Sequence, residues 1–529
     1  MLEGWGVAVL DGRIAYTGPD PIRLAGPGTE VLDLSGDILA PGLIEGHTHL
    51  TRIRISDYAD LQVRAGVTTS IVEASELAFA TGPDGVRALL AAAAGAPGRL
   101  FFTIPGLISF DPEYDRRVAP LDDWIALLDV EGVAGVGEMY WADVLRGHER
   151  TDHLVDAALA RGLAVEGHGA GARPAALNAL AAIGAGSDHE GINAEDLVNR
   201  LRLGLHTMAR HGATRQDLPA LAPVWRETTV DLGRLSLVTD GVEPEDQMHG
   251  RSLNRVVELA VAEGLPLVRA LRLASRNAAE HFGFGRWLGG LAPGMLADLM
   301  VLPASGGLSP RLVLVGGRHP VPARPADYPD WMLQTVARSY DPELLRHPGR
   351  GHFRAIELVG PTVTREALTD GDGALVASIL DRSGARGFRG LLIGLGLRGG
   401  GAAISSGWES TGVTVVGDRE PDMALAVARV QEMGGGAAVA AAGRLLAEWR
   451  APVGGLYSRE PIATVVEEVS SVNNALRTLG CRWPNPLLTL ETLTTAAIPH
   501  LRLWAGGYAR LRDGARLGLD FGSDRLPQV

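Results

Sequence analysis

The sequence predicts an α/β protein built on a (β/α)8 TIM-like barrel, with a small split β-sandwich domain and a C-terminal α/β domain. From Gly42 to about Gly285, short apolar runs alternate with helical stretches, which is typical of a parallel sheet covered by helices. The 529 residues exceed what one hydrophobic core accommodates, so two or three domains are expected. Short strand-like runs after residue 286 resemble those before residue 40, and we expect the two sets to pair.

These changes of pattern divide the chain. The opening residues alternate apolar and polar positions in short runs, with a hairpin turn signal at Asp11-Gly12. A stretch rich in Pro, Arg and Tyr separates the barrel from a further set of strands and helices. The expected segments are a small β domain (1–40 plus 286–322), the barrel (41–285), a linker (323–352) and a C-terminal α/β domain (353–529).

The composition is that of a globular enzyme from a reducing compartment. The net charge of −13 makes the surface acidic, which argues against partners such as nucleic acid or an anionic membrane. Cys481 is the single cysteine, so no intrachain disulfide forms and a cytoplasmic location is expected. The first residues do not resemble a signal peptide, and no long apolar run predicts a membrane span.

The strongest local signal is the segment Pro41-Gly42-Leu43-Ile44-Glu45-Gly46-His47-Thr48-His49. Residues i and i+2 of a strand project from the same face, so His47 and His49 point the same way. Imidazole is a common ligand of divalent metals. Two polar residues at a strand end are the simpler interpretation of this pair alone, but the preceding apolar run and Pro-Gly turn favour metal ligands.

Four more candidates each end a predicted strand. Strand C-termini of a (β/α) barrel converge on one face, which is where catalysis occurs in this fold. Any one of these residues alone is better explained as a structural polar group, whereas the set predicts a cluster. The six candidate metal ligands are His47, His49, Glu138, His168, His189 and Asp240.

Four imidazoles and two carboxylates suit Zn, Mn or Fe. We therefore expect two divalent metal ions, with a carboxylate between them. Two adjacent cations lower the pKa of a shared water towards neutrality. Asp240 would then bind one metal, take the proton of that water and pass it to the leaving group.

The same motifs resemble a known family. PGLIEGHTHL, GVTT, GVGEM, SDHE and APGMLADLMVL are similar to segments of the amidohydrolase superfamily, and more closely to the adenine deaminase family. LIGLGLRGGGAAISS, VVGDREPDMALAV and NPLLTLETLTTAAIPHLRL resemble the C-terminal domain of adenine deaminases, which most amidohydrolases lack. The resemblance covers nearly the whole chain.

The resemblance implies a binuclear centre and the hydrolytic deamination of adenine to hypoxanthine and ammonia. It assigns His47, His49 and Asp240 to one metal, His168 and His189 to the other, and Glu138 to both. It also implies a catalytic role in proton transfer, or a role in substrate binding, for Glu190. A small heterocyclic substrate and a homo-oligomer are expected on the same basis.

Three departures from the family pattern concern the surroundings of the ligands. Ala74-Ser75-Glu76 stands where family members carry Pro-His-Glu, and Asp240-Gly241 where they carry Asp-Asp. Trp408-Glu409-Ser410-Thr411-Gly412 replaces a His-Asp-Ser-His-Asn stretch. Intact ligands with altered polar neighbours are the pattern expected for the same hydrolytic chemistry on a different substrate.

Three residues are candidate substrate contacts. Glu76 follows the second predicted strand. Arg210 lies in a segment that the family places near the barrel mouth, although a salt bridge would explain it equally well. Trp408 would stack on a flat ring, the alternative being ordinary core packing.

Three functions remain open from the sequence. The first is deamination of adenine, and the second is hydrolysis of a different cyclic amide, amidine or related small ring. The third is a catalytically silent scaffold, against which the six intact ligands argue. Four other histidines are expected in helices or loops, at the surface or in structural roles, namely His206, His211, His249 and His281.

Overall fold

The computed structural model describes residues 2–106, 112–304, 307–382, 384, 386–408, 412–498 and 500–521. Within these residues the chain forms a short β region, a parallel barrel, a second short β region that returns to the first, and a mixed C-terminal sheet with helices.

The chain opens with a hairpin. Strands β1 (Trp5–Leu10) and β2 (Arg13–Pro19) pair antiparallel around Asp11-Gly12. Both turn residues have positive φ, 50° and 78°, as the tight turn predicted from the Asp-Gly pair requires. After a short 3-10 helix (Pro21–Leu24), strand β3 (Asp37–Pro41) leads into the barrel.

The barrel wall consists of eight parallel strands that follow one another in chain order. They are β4 (Leu43–His49), β5 (Val67–Glu73), β6 (Arg99–Pro105), β7 (Val133–Tyr140), β8 (Ala164–His168), β9 (Ser187–Asp188), β10 (His206–Arg210) and β11 (Leu235–Val238). Strand β4 is buried at every position, because helices cover the outer face of the wall and side chains fill the inner one. The Asp240 N–H donates to the His47 carbonyl at 3.2 Å, so the last strand closes onto the first.

Helices connect these strands and also follow the last of them. The helices are α1 (Ile55–Arg64), α2 (Ser75–Ala93), α3 (Pro112–Val118), α4 (Leu121–Ile125), α5 (Trp141–Arg146), α6 (Glu149–Ala160), α7 (Pro174–Ala182), α8 (Ala194–Arg202), α9 (Leu218–Leu221), α10 (Pro223–Glu227), α11 (Pro244–Met248), α12 (Leu253–Ala262), α13 (Leu267–Leu273) and α14 (Arg276–His281). A 3-10 turn (Ala126–Asp129) follows α4.

Two local predictions differ from the structure. The alanine-rich sequence predicts a helix over Gly85–Ala94, whereas helix α2 begins at Ser75 and is kinked at Gly82-Pro83, where proline interrupts the hydrogen-bond ladder. The segment from His206 to Arg210 is a barrel strand, so the expectation of a helix or loop for His206 was wrong. This five-residue segment has a polar residue at each end, so its apolar pattern is too short to predict a strand. Hydrogen bonding to β9 and β11 makes it one.

The second short β region pairs with the first, as expected. Strand β12 (Leu299–Pro303) lies antiparallel between β3 and β13 (Leu312–Leu314). The stretch that follows contains two 3-10 turns, Asp330–Leu333 and Pro342–Leu345.

The described part of the C-terminal region holds an eight-stranded mixed sheet, a three-stranded sheet and three helices. The larger sheet contains β14 (Phe353–Leu358), β15 (Thr364–Thr369), β16 (Leu375–Asp381), β17 (Gly387–Ile393), β18 (Gly400–Ile404), β19 (Gly412–Gly417), β20 (Gly436–Ala441) and β21 (Arg444–Arg450) in the order 15-14-17-16-19-18-20-21. The remaining elements are α15 (Glu420–Met433), α16 (Ile462–Thr478), α17 (Pro486–Glu491), a 3-10 turn (Thr492–Thr494), β22 (Leu501–Trp504), β23 (Gly507–Arg510) and β24 (Ala515–Leu517).

One hydrophobic core joins the barrel to the C-terminal region. Leu77 of α2 and Trp124 of α4 belong to the same buried cluster as Ile356, Trp449 and Val465 of the C-terminal region. Shared apolar burial of this kind holds the two regions against each other. None of the described helices combines the length and apolar content needed to cross a bilayer.

Candidate metal centre

The carboxylate of Glu138 lies at the centre of four imidazoles. Its Oε1 atom is 3.5 Å from Nε2 of His47, 3.6 Å from Nε2 of His49, 3.2 Å from Nδ1 of His168 and 3.4 Å from Nε2 of His189. All five residues are buried. The φ of 24° at Glu138 is in the left-handed region, which non-glycine residues seldom adopt and which is concentrated at functional sites.

Asp240 completes the cluster from the loop after β11. Its Oδ1 atom is 3.4 Å from Nε2 of His47 and 3.3 Å from Nε2 of His49. Its Oδ2 atom accepts hydrogen bonds from Thr214 Oγ1 at 2.7 Å and from Arg210 Nη1 at 3.0 Å. One carboxylate oxygen therefore faces the imidazoles while the other is held by its neighbours.

The side chains present fit divalent cations. Among the described residues, the Nε2 atoms of His47, His49 and His189 are buried and have no hydrogen-bond partner. Buried polar atoms are normally paired, and bound cations would supply the missing partners of these three nitrogens. Two groups of side chains have ligand atoms close enough to share an ion, namely His47, Glu138, His189 and Asp240, and His168, His189 and Glu190. Nitrogen and oxygen donors in this mixture suit Zn, Mn or Fe.

The electrostatic environment of the cluster also favours cations. Burial disfavours a charged imidazole, yet the neighbouring carboxylates of Asp240 and Glu138 raise the pKa of His47 to about 10. Burial likewise disfavours the charged form of Glu138, but interactions with His168 and His189 lower its pKa well below the usual range. The carboxylates thus stabilise positive charge at this position in spite of the desolvation that opposes it.

Glu76 orients one of the candidate ligands. It lies in the first turn of α2, directly after strand β5, and its Oε1 atom is 2.6 Å from Nδ1 of His49. A carboxylate on one ring nitrogen sets the tautomer and leaves the other nitrogen free to bind a metal. The Nε2 atom of His49 faces Glu138 and Asp240 accordingly.

Arg210 binds carboxylates of the cluster at the end of β10. Its Nη1 and Nη2 atoms donate to the two oxygens of Glu190, Nη1 also donates to Asp240, and Nε donates to Asp217 at 3.1 Å. Burial opposes ionisation of Glu190, yet Arg210 and His168 lower its pKa to about 2. The Oε1 atom of Glu190 lies 3.6 Å from Nε2 of His168.

Residues of the C-terminal region cover the cluster. The Trp408 ring lies 4.5 Å from the His49 ring, centroid to centroid, at an interplanar angle of 35°. The carbonyl oxygen of Ala497 is 3.1 Å from Nε2 of His168, and Ala496 packs against Tyr140. Three residues of the stretch compared above with the family's His-Asp-Ser-His-Asn motif, Glu409, Ser410 and Thr411, lie outside the described residues.

The structure thus brings the predicted site residues together at the C-terminal end of the barrel. Contacts to Glu138 and Asp240 join the six candidate ligands in one cluster, Glu190 and Arg210 border it on one side, and Glu76 and Trp408 both contact His49. These residues are spread over most of the chain in sequence, and folding of the barrel with the C-terminal region against it makes them neighbours.

Sequence reasoning missed several supporting residues. The Tyr140 hydroxyl donates to Oε2 of Glu138 at 3.3 Å, and its position two residues further along the same strand was a usable signal. Arg200 donates to Oδ1 of Asp188 at 2.5 Å, and that oxygen also accepts from the N–H of Glu190. This buried ion pair holds the loop that carries His189, and no local sequence pattern predicts the pairing.

Comparison with known proteins identifies the family of both parts of the chain. The model of the amidohydrolase family matches residues 38–319, and the model of the adenine deaminase C-terminal domain matches residues 359–514. An adenine deaminase of Moorella thermoacetica is 32% identical over 94% of this chain and 89% of its own length. An adenine deaminase of Archaeoglobus fulgidus is 33% identical over 94% of this chain and 88% of its own.

Both comparisons agree with the resemblance seen in the motifs and with the eight-stranded parallel barrel. The chain belongs to the amidohydrolase family and, within it, to the adenine deaminase family, and it is a metal-dependent hydrolase of C–N bonds.

Proposed function

We propose that this protein deaminates adenine to hypoxanthine and ammonia with the aid of two divalent cations. The observation that carries the proposal is the position of Glu138, whose Oε1 atom lies 3.2–3.6 Å from a nitrogen of each of four histidines. Burying a carboxylate costs free energy unless cations balance its charge, so this arrangement favours a metal site over a purely structural role. Sequence identity to adenine deaminases over most of the chain supports the choice of substrate.

The ligands would divide between two ions. His47, His49 and Asp240 would hold one, His168 and His189 the other, and Glu138 would contact both. Bound Zn, Mn or Fe would supply Lewis-acid chemistry, lowering the pKa of water and polarising the substrate. The three unpartnered Nε2 atoms support this assignment, since they point at the space between the carboxylates.

Asp240 and Glu190 are the proposed proton carriers. Oδ1 of Asp240 faces the cluster, so it would accept the proton of the attacking water and pass it to the departing ammonia. Arg210 and Thr214 hold Oδ2, which keeps Oδ1 in that direction. Arg210 holds Glu190 in its ionised form, and Glu190 would take up a proton only transiently while passing it to the ring nitrogen that must become N–H in the product.

The three candidate substrate residues have different surroundings. Trp408 contributes a flat apolar surface beside His49, where a planar ring would stack. Arg210 and Glu76 already contact carboxylates and an imidazole, which favours roles in orienting the catalytic groups over direct substrate binding. A direct contact with substrate stays a prediction for both.

A second candidate is hydrolysis of another cyclic amide or amidine. It is favoured by the departures around the ligands, because Ala74, Ser75 and Trp408 stand where family members carry other residues. A site that loses hydrogen-bonding groups for one ring loses discrimination in favour of that ring.

The two candidates differ in their product. Purified protein reconstituted with manganese or zinc should release ammonia from adenine and convert its ultraviolet spectrum to that of hypoxanthine. A panel of cyclic amides and amidines tested in parallel would reveal ring opening without ammonia. Ring opening with adenine unchanged would overturn the first proposal, and metal below one equivalent in active preparations would overturn the binuclear centre.

The same proposal places the protein in purine metabolism in the cytoplasm, with free adenine as its small-molecule partner. A free buried thiol at Cys481 is compatible with a reducing compartment. The homo-oligomer expected from the sequence stays a prediction, which light scattering on the purified protein would measure.

A further inference from the structure

A buried ion pair joins the barrel mouth to the C-terminal region next to the cluster. Arg52 follows the strand that carries His47 and His49. Its Nε and Nη2 atoms donate to Oε1 and Oε2 of Glu491 at 3.1 and 2.5 Å. Both side chains are buried, and the two residues are 439 positions apart in sequence. Two parallel hydrogen bonds between a guanidinium and a carboxylate set the relative orientation of the groups that carry them.

The same pair reaches a second loop of the site. Nη1 of Arg52 donates to Oε2 of Glu243 at 2.6 Å, and Glu243 lies three residues after Asp240. The Oε1 atom of Glu243 accepts from Asn485 Nδ2 at 3.0 Å. Asn485 caps the N-terminus of α17, and Glu491 is the last residue of that helix. Both ends of α17 are therefore bound to barrel loops that lie next to candidate metal ligands.

Glu491 also determines where Trp408 lies. The Trp408 N–H donates to the Glu491 carbonyl oxygen at 3.2 Å, and Ser406 Oγ donates to Oε1 of the Glu491 carboxylate at 2.6 Å. The Trp408 carbonyl accepts from Thr494 Oγ1 at 3.0 Å. The segment before Trp408 is thus bound to α17 and the turn after it at three points.

The backbone at Arg52 indicates that this arrangement is enforced. Its φ is 61°, in the left-handed region that costs a non-glycine residue free energy. Glu138 and Asp240, both in the cluster, share this feature. As at Glu138 and Asp240, the surrounding contacts must hold the backbone of Arg52 in this strained conformation.

We propose that Arg52 and Glu491 form a latch that positions Trp408 over His49, making Glu491 a specificity-determining positioning residue of the ring-binding wall. The latch connects the barrel loops next to the candidate metal ligands to the flat aromatic surface of Trp408, which lies against His49. Neither latch residue contacts the reacting atoms, and both act through Trp408. This inference rests on the proposed function for the identity of the ring.

The test compares Glu491→Gln with a matched control, Glu366→Gln. Glu366 is partly buried, with its side chain 10% exposed, and it also binds an arginine, Arg354, at 2.6 Å, but it lies in the C-terminal sheet away from the cluster. Ser406→Ala removes one hydrogen bond to Glu491 and serves as a milder variant should Glu491→Gln fold poorly. Hydrogen–deuterium exchange is followed in peptides covering residues 404–408 and 491–498.

We expect exchange in those peptides to rise in Glu491→Gln and Ser406→Ala and to match wild type in Glu366→Gln. Bound metal should stay at the wild-type level in all three. On adenine, Glu491→Gln should lose on the order of tenfold in kcat/KM, chiefly through KM, since misplacement of a positioning group costs this much or more.

A double-mutant cycle separates the latch from general destabilisation. In a Trp408→Ala background, Glu491→Gln should change kcat/KM by less than about twofold, because coupled residues are non-additive. Full additivity would overturn the proposal, as would unchanged exchange in both latch variants. If exchange rises in the latch variants but the wild-type protein leaves adenine unaltered, the latch is supported and the proposed substrate is overturned.

Discussion

Trp408 and His49 lie ring against ring, 4.5 Å between centroids, although 359 positions along the chain separate a C-terminal loop from the first barrel strand. This contact makes the C-terminal region part of the site rather than an appendage. A metal cluster at a barrel mouth is open to water unless something covers it, and exclusion of water strengthens the electrostatic interactions inside. The indole ring and the Ala497 carbonyl supply that cover here.

Replacing the central carboxylate should abolish metal binding and catalysis together. In Glu138→Gln a neutral amide takes the place of the charge that four imidazoles surround. We expect sub-stoichiometric metal by elemental analysis and a loss of kcat/KM greater than about a hundredfold, because even an outer-shell partner costs about 10- to 100-fold. Glu131→Gln, at an exposed residue in the turn that precedes the same strand, is the control. Normal metal content in Glu138→Gln would contradict the bridging role.

Removing the partner of His49 should weaken the site without destroying it. Glu76→Gln retains a hydrogen bond to Nδ1 but not the charge, and we expect metal affinity to fall about tenfold, with Glu76→Ala nearer a hundredfold. Competition with a chromophoric chelator measures the affinity. Glu263→Gln disrupts a surface ion pair with Arg226 and should leave affinity at the wild-type value. Equal affinities in all variants would show that Glu76 has another role.

Metal removal should lower the thermal stability. Ions that bind only the folded state stabilise it by about 2.7 kcal/mol at a hundred times their dissociation constant. Dialysis against a chelator should therefore reduce Tm by several degrees, and manganese or zinc should restore it. In His47→Ala/His189→Ala, which lacks two of the unpartnered Nε2 atoms, the chelator should have no further effect. An identical Tm with and without metal in the wild type would contradict this prediction.

Cys481 should make unfolding easier at alkaline pH. Burial raises the pKa of its thiol from 9.0 to about 12. Above pH 9 the thiol of the unfolded chain loses its proton while that of the folded chain keeps it. The contribution of the thiol to the free energy of unfolding is therefore complete below pH 9 and is lost as the pH rises towards 12. The slope is at most ~1.4 kcal/mol per pH unit.

Comparison of wild type with Cys481→Ala isolates this contribution, because other buried groups titrate equally in both proteins. Chemical unfolding between pH 8 and pH 11 should show the wild type losing stability faster than the variant. Parallel curves over that range would mean that the thiol ionises as readily in the folded protein as in the unfolded one.

Much of the site was predictable because the barrel obeys a simple geometric rule. Each of His47, His49, Glu138 and His168 lies at or near the C-terminal end of a strand with an apolar pattern, and parallel strands bring those ends to one face. The order of the strands follows from short connections, which place consecutive strands side by side. Residue spacing therefore predicted a metal cluster without any knowledge of distances.

The contacts that support the candidate ligands could not be predicted from the sequence. Strand β10, which carries Arg210, is too short and too polar to show a strand pattern, and only its pairing defines it. Arg52 and Glu491 are ordinary charged residues in their local sequences, and nothing in either segment indicates the partner.

The sequence by itself determined the fold class, the family and the set of candidate ligands, because periodicity and motif spacing are local properties of the chain. The tertiary structure alone decided which oxygen of Asp240 faces the imidazoles, which residues hold the other, and which part of the C-terminal region covers them. Those features depend on contacts between segments far apart in sequence, where packing and burial rather than local preference determine the lowest free energy.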